Sequence, residues 1–124
     1  MTNDFYYHNV NPDKAVEGDC VTRAISLASG LSYRAVGKLL ELVAEQHQCE
    51  KLCICCYHHL LEDILGYRVK FPRPRRTVAE VAKEYPNNVI IVRIEGHLTS
   101  CLYGLCVDIW DCTREIVDCF WIVQ

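Results

Sequence analysis

No stretch of the 124-residue chain reaches the roughly 18–20 apolar residues that a membrane span needs. The N-terminus, Met1-Thr2-Asn3-Asp4-Phe5-Tyr6-Tyr7-His8, lacks the basic and apolar regions of a signal peptide. No excess of one charge is present: 13 basic residues stand against 16 acidic, a net charge of −3. So weak an imbalance makes no whole-chain case for nucleic-acid binding. No internal repeat or low-complexity segment appears. What is present is ordinary for a folded globular protein, with 51% hydrophobic and 23% charged residues, which excludes intrinsic disorder. The length suits one domain, residues 1–124, around one core. The expectation is a soluble, cytoplasmic protein with no membrane partner.

Cysteine is the residue in excess. Nine occur: Cys20, Cys49, Cys53, Cys55, Cys56, Cys101, Cys106, Cys112 and Cys119. An odd number without an export signal argues against a secreted disulfide framework. Most are expected to be buried thiols, since free Cys behaves as a small hydrophobe. Cys20 and the run from Cys49 to Cys56 stand apart.

Residues 1–18 read as an irregular segment broken by Asn9, Asn11, Pro12 and Gly18. A helix should start near Cys20, with Asp19 as its cap and Val21, Ala24, Ile25 and Ala28 at helical spacing. Gly30 should stop it. Ser32 can cap a second helix, striped by Val36, Leu39, Leu40 and Val43 and running to about His47. A third is expected over residues 56–65, with Leu60, Leu61 and Ile64 inward. Residues 67–71 alternate as a strand. Thr77 and Glu80 form a capping box for a short helix ending before Pro86. The apolar run Val89–Ile94 suggests a strand buried on both faces. Residues 97–102 and 105–110 flank Tyr103-Gly104, which suits a two-residue hairpin turn. Residues 116–123 make a last strand. Helices first and antiparallel strands second imply an α+β domain.

Cys20 carries the clearest chemistry. At the first turn of a helix a thiol meets unpaired backbone N–H groups and the positive end of the dipole, and both favour thiolate. The same N–H groups can hold an oxyanion. His97, after Gly96 and opening a strand, is the natural base. A third group should orient the imidazole, and Asp108 and Asp111 are the candidates. With a two-residue turn at Tyr103-Gly104, Thr99 opposes Asp108 and His97 opposes Trp110. His97 and Asp108 then share a face. A three-residue turn would bring Asp111 there instead, because one residue of slip reverses every side chain. The two-residue turn, and hence Asp108, is preferred.

Gly18-Asp19-Cys20-Val21-Thr22-Arg23-Ala24-Ile25, then Gly96-His97, then Asp108-Ile109-Trp110-Asp111, resemble the papain-like cysteine peptidase superfamily. Small phage and bacterial members, with a Gly-Asp-Cys start and a Gly-His…Asp-x-Trp-Asp finish, are the nearest in pattern. The resemblance covers residues from about 9 to the end. It implies N-terminal helices packed on a C-terminal antiparallel sheet, with Cys20 as nucleophile, His97 as base and Asp108 as third member. It implies a hydrolase acting on a peptide or protein through an acyl-enzyme, without a cofactor. The superfamily usually places a Gln before the nucleophile as an oxyanion donor. No Gln precedes Cys20, which leaves Asn9 or Asn11, with Asn11 preferred. The competing class is a non-catalytic binding module on the same fold, such as a phage-encoded antagonist of a host protein.

Two further signals have plainer explanations. Cys49, Cys53, Cys56 and His59 offer four soft ligands, as tetrahedral zinc requires. Their spacing matches no recognised zinc pattern, and a helix junction with buried thiols explains them, so no metal is expected. Arg68, Lys70, Arg73, Arg75 and Arg76 form a basic stretch stiffened by Pro72 and Pro74. It reads as a solvated loop or as a contact for an acidic protein surface, with nucleic acid the less apt partner. Trp110, Phe120 and Trp121 are expected in the core or the cleft wall. His8, His47, His58 and His59 receive no role.

Overall fold

Val89–Ile94 forms the spine of the molecule. Its side chains alternate between two apolar layers, as a near-continuous hydrophobic strand requires. In the computed structural model, which describes residues 4–14 and 18–124, Val89 and Ile91 pack beneath three helices, whereas Ile90, Val92 and Ile94 face a fourth. Among the described residues the fold is α+β, with four α-helices and one six-stranded sheet. The strands are β1 (Phe5–Tyr7), β2 (Arg68–Lys70), β3 (Val89–Ile94), β4 (His97–Leu102), β5 (Leu105–Asp108) and β6 (Val117–Ile122). Their order across the sheet is β1-β5-β4-β3-β6-β2. Among the described residues no helix is long and apolar enough to cross a membrane.

The helices follow their local signals. Helix α1 (Cys20–Ser29) ends at Gly30 in the left-handed conformation. Helix α2 (Tyr33–His47) is capped by the Ser32 side chain, which accepts from the Ala35 N–H. Val36, Leu40 and Val43 are its buried stripe. Helix α4 (Val78–Glu84) carries the capping box of Thr77 and Glu80. It lays Val78, Val81 and Ala82 on the opposite face of the sheet from α1 and α2.

Three elements depart from expectation. Residues 5–7 are a strand, pairing parallel with β5, so the sheet is not wholly antiparallel and not wholly C-terminal. Three residues are too few to show an alternating pattern, and this strand exists only because β5 offers it a free edge. Helix α3 (Ile54–His58) starts two residues early and continues as a π-helical turn over His59–Ile64. The wider turn rotates Ile64 outward to 51% exposure, where regular helical spacing had placed it inside. Finally, β5 stops at Asp108.

Both hairpins around β4 are tight. Tyr103 and Gly104 adopt φ of 53° and 87°, the positive values that a type I′ turn requires at both central residues. Leu102 faces Leu105 and Cys101 faces Cys106. On the other side Ile94 pairs with His97 across Glu95-Gly96, with Gly96 at φ 70°. His97 therefore opens β4 directly after a turn. The β3–β6 ladder slips at Arg93/Ile94, where Cys119 and Val117 are the partners. Asp118 is the extra residue of a bulge, a device that re-aims a side chain.

Trp121 is fully buried under α3, and its indole N–H donates to Glu62 at 3.1 Å. Replacing Trp121 with Ala is expected to cost about 3–5 kcal/mol of unfolding free energy, read from urea denaturation. Leu42→Ala, at a position 55% exposed, should stay within about 0.5 kcal/mol of the parent.

Candidate active site

Cys20 is the first residue of α1. Its thiol is near enough to the His97 side chain and the Leu98 backbone for both to pull its pKa down, so the start of the helix meets the start of β4. The His97 Nε2 is 2.7 Å from Asp108 Oδ2. Cys20, His97 and Asp108 thus stand in one continuous chain of polar contacts. Asp108 sits on the face that the two-residue turn assigns to it. Asp111 is turned away and exposed, and its Oδ1 accepts from the Thr113 N–H and hydroxyl.

The electrostatics polarise this chain. Burial pushes the Cys20 thiol up, but the His97 and Leu98 hydrogen bonds and the His97 and Arg23 charges outweigh it, and the net shift is downward. Burial pushes the His97 imidazole down. Hydrogen bonds to Asp108, Cys112 and Cys20 reverse that, and the net value rises to about 11. Burial also works against the Asp108 carboxylate, yet bonds from His97, Thr99 and the Ile109 backbone hold it below the usual carboxylate range. Both shifts move the pair toward a thiolate beside an imidazolium.

Asp19 does not cap α1 with its side chain, contrary to expectation. Its carboxylate is buried and accepts from Arg23 Nε at 2.8 Å, Asn11 Nδ2 at 2.7 Å and the Tyr33 hydroxyl at 2.9 Å. The first-turn N–H groups beside Cys20 are therefore not claimed by that carboxylate. Asn11 is corrected with it. Its amide donates to Asp19 and, at 3.0 Å, to the Tyr33 oxygen. Both amide hydrogens are spent, and at 1% exposure the group cannot serve as an oxyanion donor. Asn9 receives the Asn11 N–H at 3.0 Å; Lys14 Nζ also donates to the Asn9 carbonyl.

Arg23 and Cys112 were not legible as site residues. Arg23 Nη1 reaches Asp108 Oδ1 at 2.7 Å while its Nε holds Asp19. One guanidinium thus ties the entrance of α1 to the end of β5. The only hint in the sequence was its place within Gly-Asp-Cys-Val-Thr-Arg. Cys112 is 1% exposed, within 4.8 Å of His97 and Asp108, and contact with Cys106 keeps it a thiol by pushing it upward. Trp110 is half exposed, and its ring meets His97 edge-on with centroids 5.0 Å apart.

The site opens into a cleft of about 720 Å³. Cys20 and His97 line it together with Cys53, Ile54 and Tyr57. Arg93 and Asp118 supply charge to the lining; their side chains are 3.8 Å apart. Arg93 also reaches His58 Nε2 at 2.9 Å, and His58 Nδ1 contacts Glu62 at 2.7 Å. His58 therefore belongs to a network behind the cleft wall, a link invisible across 35 residues of sequence.

The remaining motifs fall elsewhere. Cys56 points inward with its thiol 3.5 Å from the Leu40 carbonyl. His59 pairs with Asp63 at 2.7 Å and stacks on His47. The set Cys49, Cys53, Cys56 and His59 is thus not assembled. Arg68, Lys70, Arg73 and Arg75 are exposed at the β2 edge, three strands from β4. Arg76 turns toward Glu84 at 2.5 Å. No protein-family model, curated protein or solved structure matches the chain.

Removing Arg23 should strand two buried carboxylates. Arg23→Met is expected to cost about 3–5 kcal/mol, measured by urea denaturation at pH 7. Asp19 and Asp108 have lowered values in the folded chain. They stabilise it above the unfolded carboxylate range of ~3.9, and that stabilisation is lost as pH falls below it. The parent should therefore weaken steeply below about pH 4, while Arg23→Met should show a flatter acid limb.

Proposed function

We propose that this chain is a papain-like cysteine hydrolase, cleaving a peptide or amide bond by acyl transfer. The observation that carries the reading is the Asp108–His97–Cys20 set, buried at Asp108 and half-buried at His97 and Cys20, ending at a helix start and opening on a cleft. The order Cys, His, Asp along the chain, and a helix bearing the Cys packed against strands bearing the other two, match that class.

The reaction follows from the charge state. The Cys20 thiolate attacks the substrate carbonyl carbon, and the carbonyl π electrons move to oxygen. The oxyanion sits at the N-terminus of α1, where backbone N–H groups and the helix dipole favour negative charge. His97, as imidazolium, gives its proton to the leaving nitrogen. The C–N bond breaks and a thioester to Cys20 remains. Neutral His97 then takes a proton from water, whose oxygen attacks the thioester. Collapse releases the acid and restores thiolate and imidazolium. Asp108 holds the ring and stabilises its positive form. Arg23 acts as a positioning residue through Asp108. No step needs a group from outside the chain other than water.

The test is site-resolved alkylation by iodoacetamide in the presence of a chelator, followed by mass spectrometry across pH. Cys20 should label at pH values well below 9, the ordinary thiol value. In His97→Ala the burial remains while its counterweight is gone. The thiol value should then rise, and labelling near pH 6 should slow by at least about tenfold, the thiolate lost for each pKa unit. Turnover of a fluorogenic amide library should vanish in Cys20→Ala. An unreactive Cys20, or turnover that survives its removal, would end the acyl-transfer reading. Peptide binding in the cleft with no turnover, indifferent to Cys20→Ala, would identify a binding module instead.

A further inference from the structure

We propose that Cys49, Cys53 and Cys55 form a binding site for a thiophilic divalent d10 cation, zinc being the biological case, at the rim of the cleft. The three Sγ atoms lie within 4.8 Å of one another, with Cys53 and Cys55 at 3.0 Å. Metal–sulfur bonds of about 2.3 Å in tetrahedral geometry set ligand sulfurs about 3.8 Å apart. The observed spacing brackets that value, so small rotamer changes close the site without moving the backbone.

The chain is folded to make this knot. Helix α2 ends at Gln48, which takes the left-handed conformation at φ 54°. The Cys49 N–H then bonds back to the Ala44 carbonyl at 3.0 Å. The Cys53 N–H closes a turn on the Glu50 carbonyl at 3.1 Å, bringing Cys53 under Cys49. Helix α3 begins at Ile54 and adds Cys55. Cys49 and Cys53 are half-buried and Cys55 is exposed. A cation therefore has an entry path, and its fourth position faces solvent. None of the three thiols serves a step of the acyl transfer proposed above.

Soft thiolate ligands select zinc and its congeners over hard cations such as magnesium or calcium. The other cluster of ligand-type groups among the described residues, His97, Asp108 and Cys112, is excluded by its own bonding. Asp108 is already engaged by Arg23 and by the imidazole. Because Cys53 and Cys55 line the same cleft as Cys20, an occupied site would stiffen that part of its lining. The proposal stands apart from the acyl-transfer reading, since the two share no residue.

The experiment titrates Co²⁺ and then Zn²⁺ into the full chain, reduced and stripped of metal with a chelator. Expected are one equivalent of Co²⁺, a thiolate-to-cobalt charge-transfer band with visible bands of tetrahedral intensity, and displacement by Zn²⁺. Cys55→Ser should abolish the thiolate bands. Cys55 is exposed, so this variant keeps its fold, verified by circular dichroism, and decides the question alone. Cys20→Ala and His97→Gln should retain the bands. Zn²⁺ should also shield Cys49, Cys53 and Cys55 from iodoacetamide while Cys20 still labels. The proposal is overturned by cobalt spectra without thiolate character. It is equally overturned by bands that persist in Cys55→Ser, or by bands that disappear with Cys20 or His97.

Discussion

Arg23, at 5% exposure, lies between two carboxylates, Asp19 at the entrance of α1 and Asp108 at the end of β5. Buried charges are expensive to desolvate, and only close, well-oriented pairing offsets that penalty. A planar guanidinium meets the demand with donors directed at two acceptors. The geometry this enforces is narrow. Asp108 must sit where Arg23 reaches it, and Cys20, three residues before Arg23, is carried to the same place. His97 then completes the set on the free oxygen of Asp108. The alignment of Cys20 and His97 is thus a consequence of satisfying buried charge.

The same arrangement accounts for the polarisation of the site. Arg23 bridges both carboxylates and offsets one of their two negative charges, and Asp108 bonds the imidazole through its other oxygen. The imidazolium in turn favours the thiolate, against the burial that opposes both. Trp110 meets the His97 ring edge-on and Cys112 lies within 4.8 Å of His97 and Asp108; Asp108 itself is buried, and reduced solvation strengthens electrostatic contacts.

The cleft is shaped by irregularities in otherwise regular elements. The β6 bulge presents Asp118 to the lining, and the π-helical turn after α3 aligns His58 and Glu62 behind Arg93. Such departures weaken local hydrogen bonding and persist where surrounding contacts over-determine them. Here a buried Trp121, bonded to Glu62, supplies part of that support. Cys53 and Cys55, at the start of α3, line the same cleft as Cys20 and His97, so its lining derives from distant parts of the chain.

Much of this was legible in residue order. Helical spacing after Asp19 placed Cys20 at a helix start, and Tyr103-Gly104 set a hairpin register that carries His97 and Asp108 to one face. Those features depend on short-range geometry: the helical repeat, the alternation of a strand and the positive φ of a tight turn. Asn11, Arg23, β1 and the π turn were not legible, because each depends on a partner distant in sequence. Asn11 was an available amide until Asp19 and Tyr33 claimed it. Arg23 was one more helical arginine until β5 brought Asp108 to it. Residues 5–7 became a strand because an edge was waiting. The sequence by itself therefore determined which groups can do chemistry and on which element each sits. Only the tertiary structure decided which are free to act, since a buried polar group must bond to whatever neighbour packing supplies.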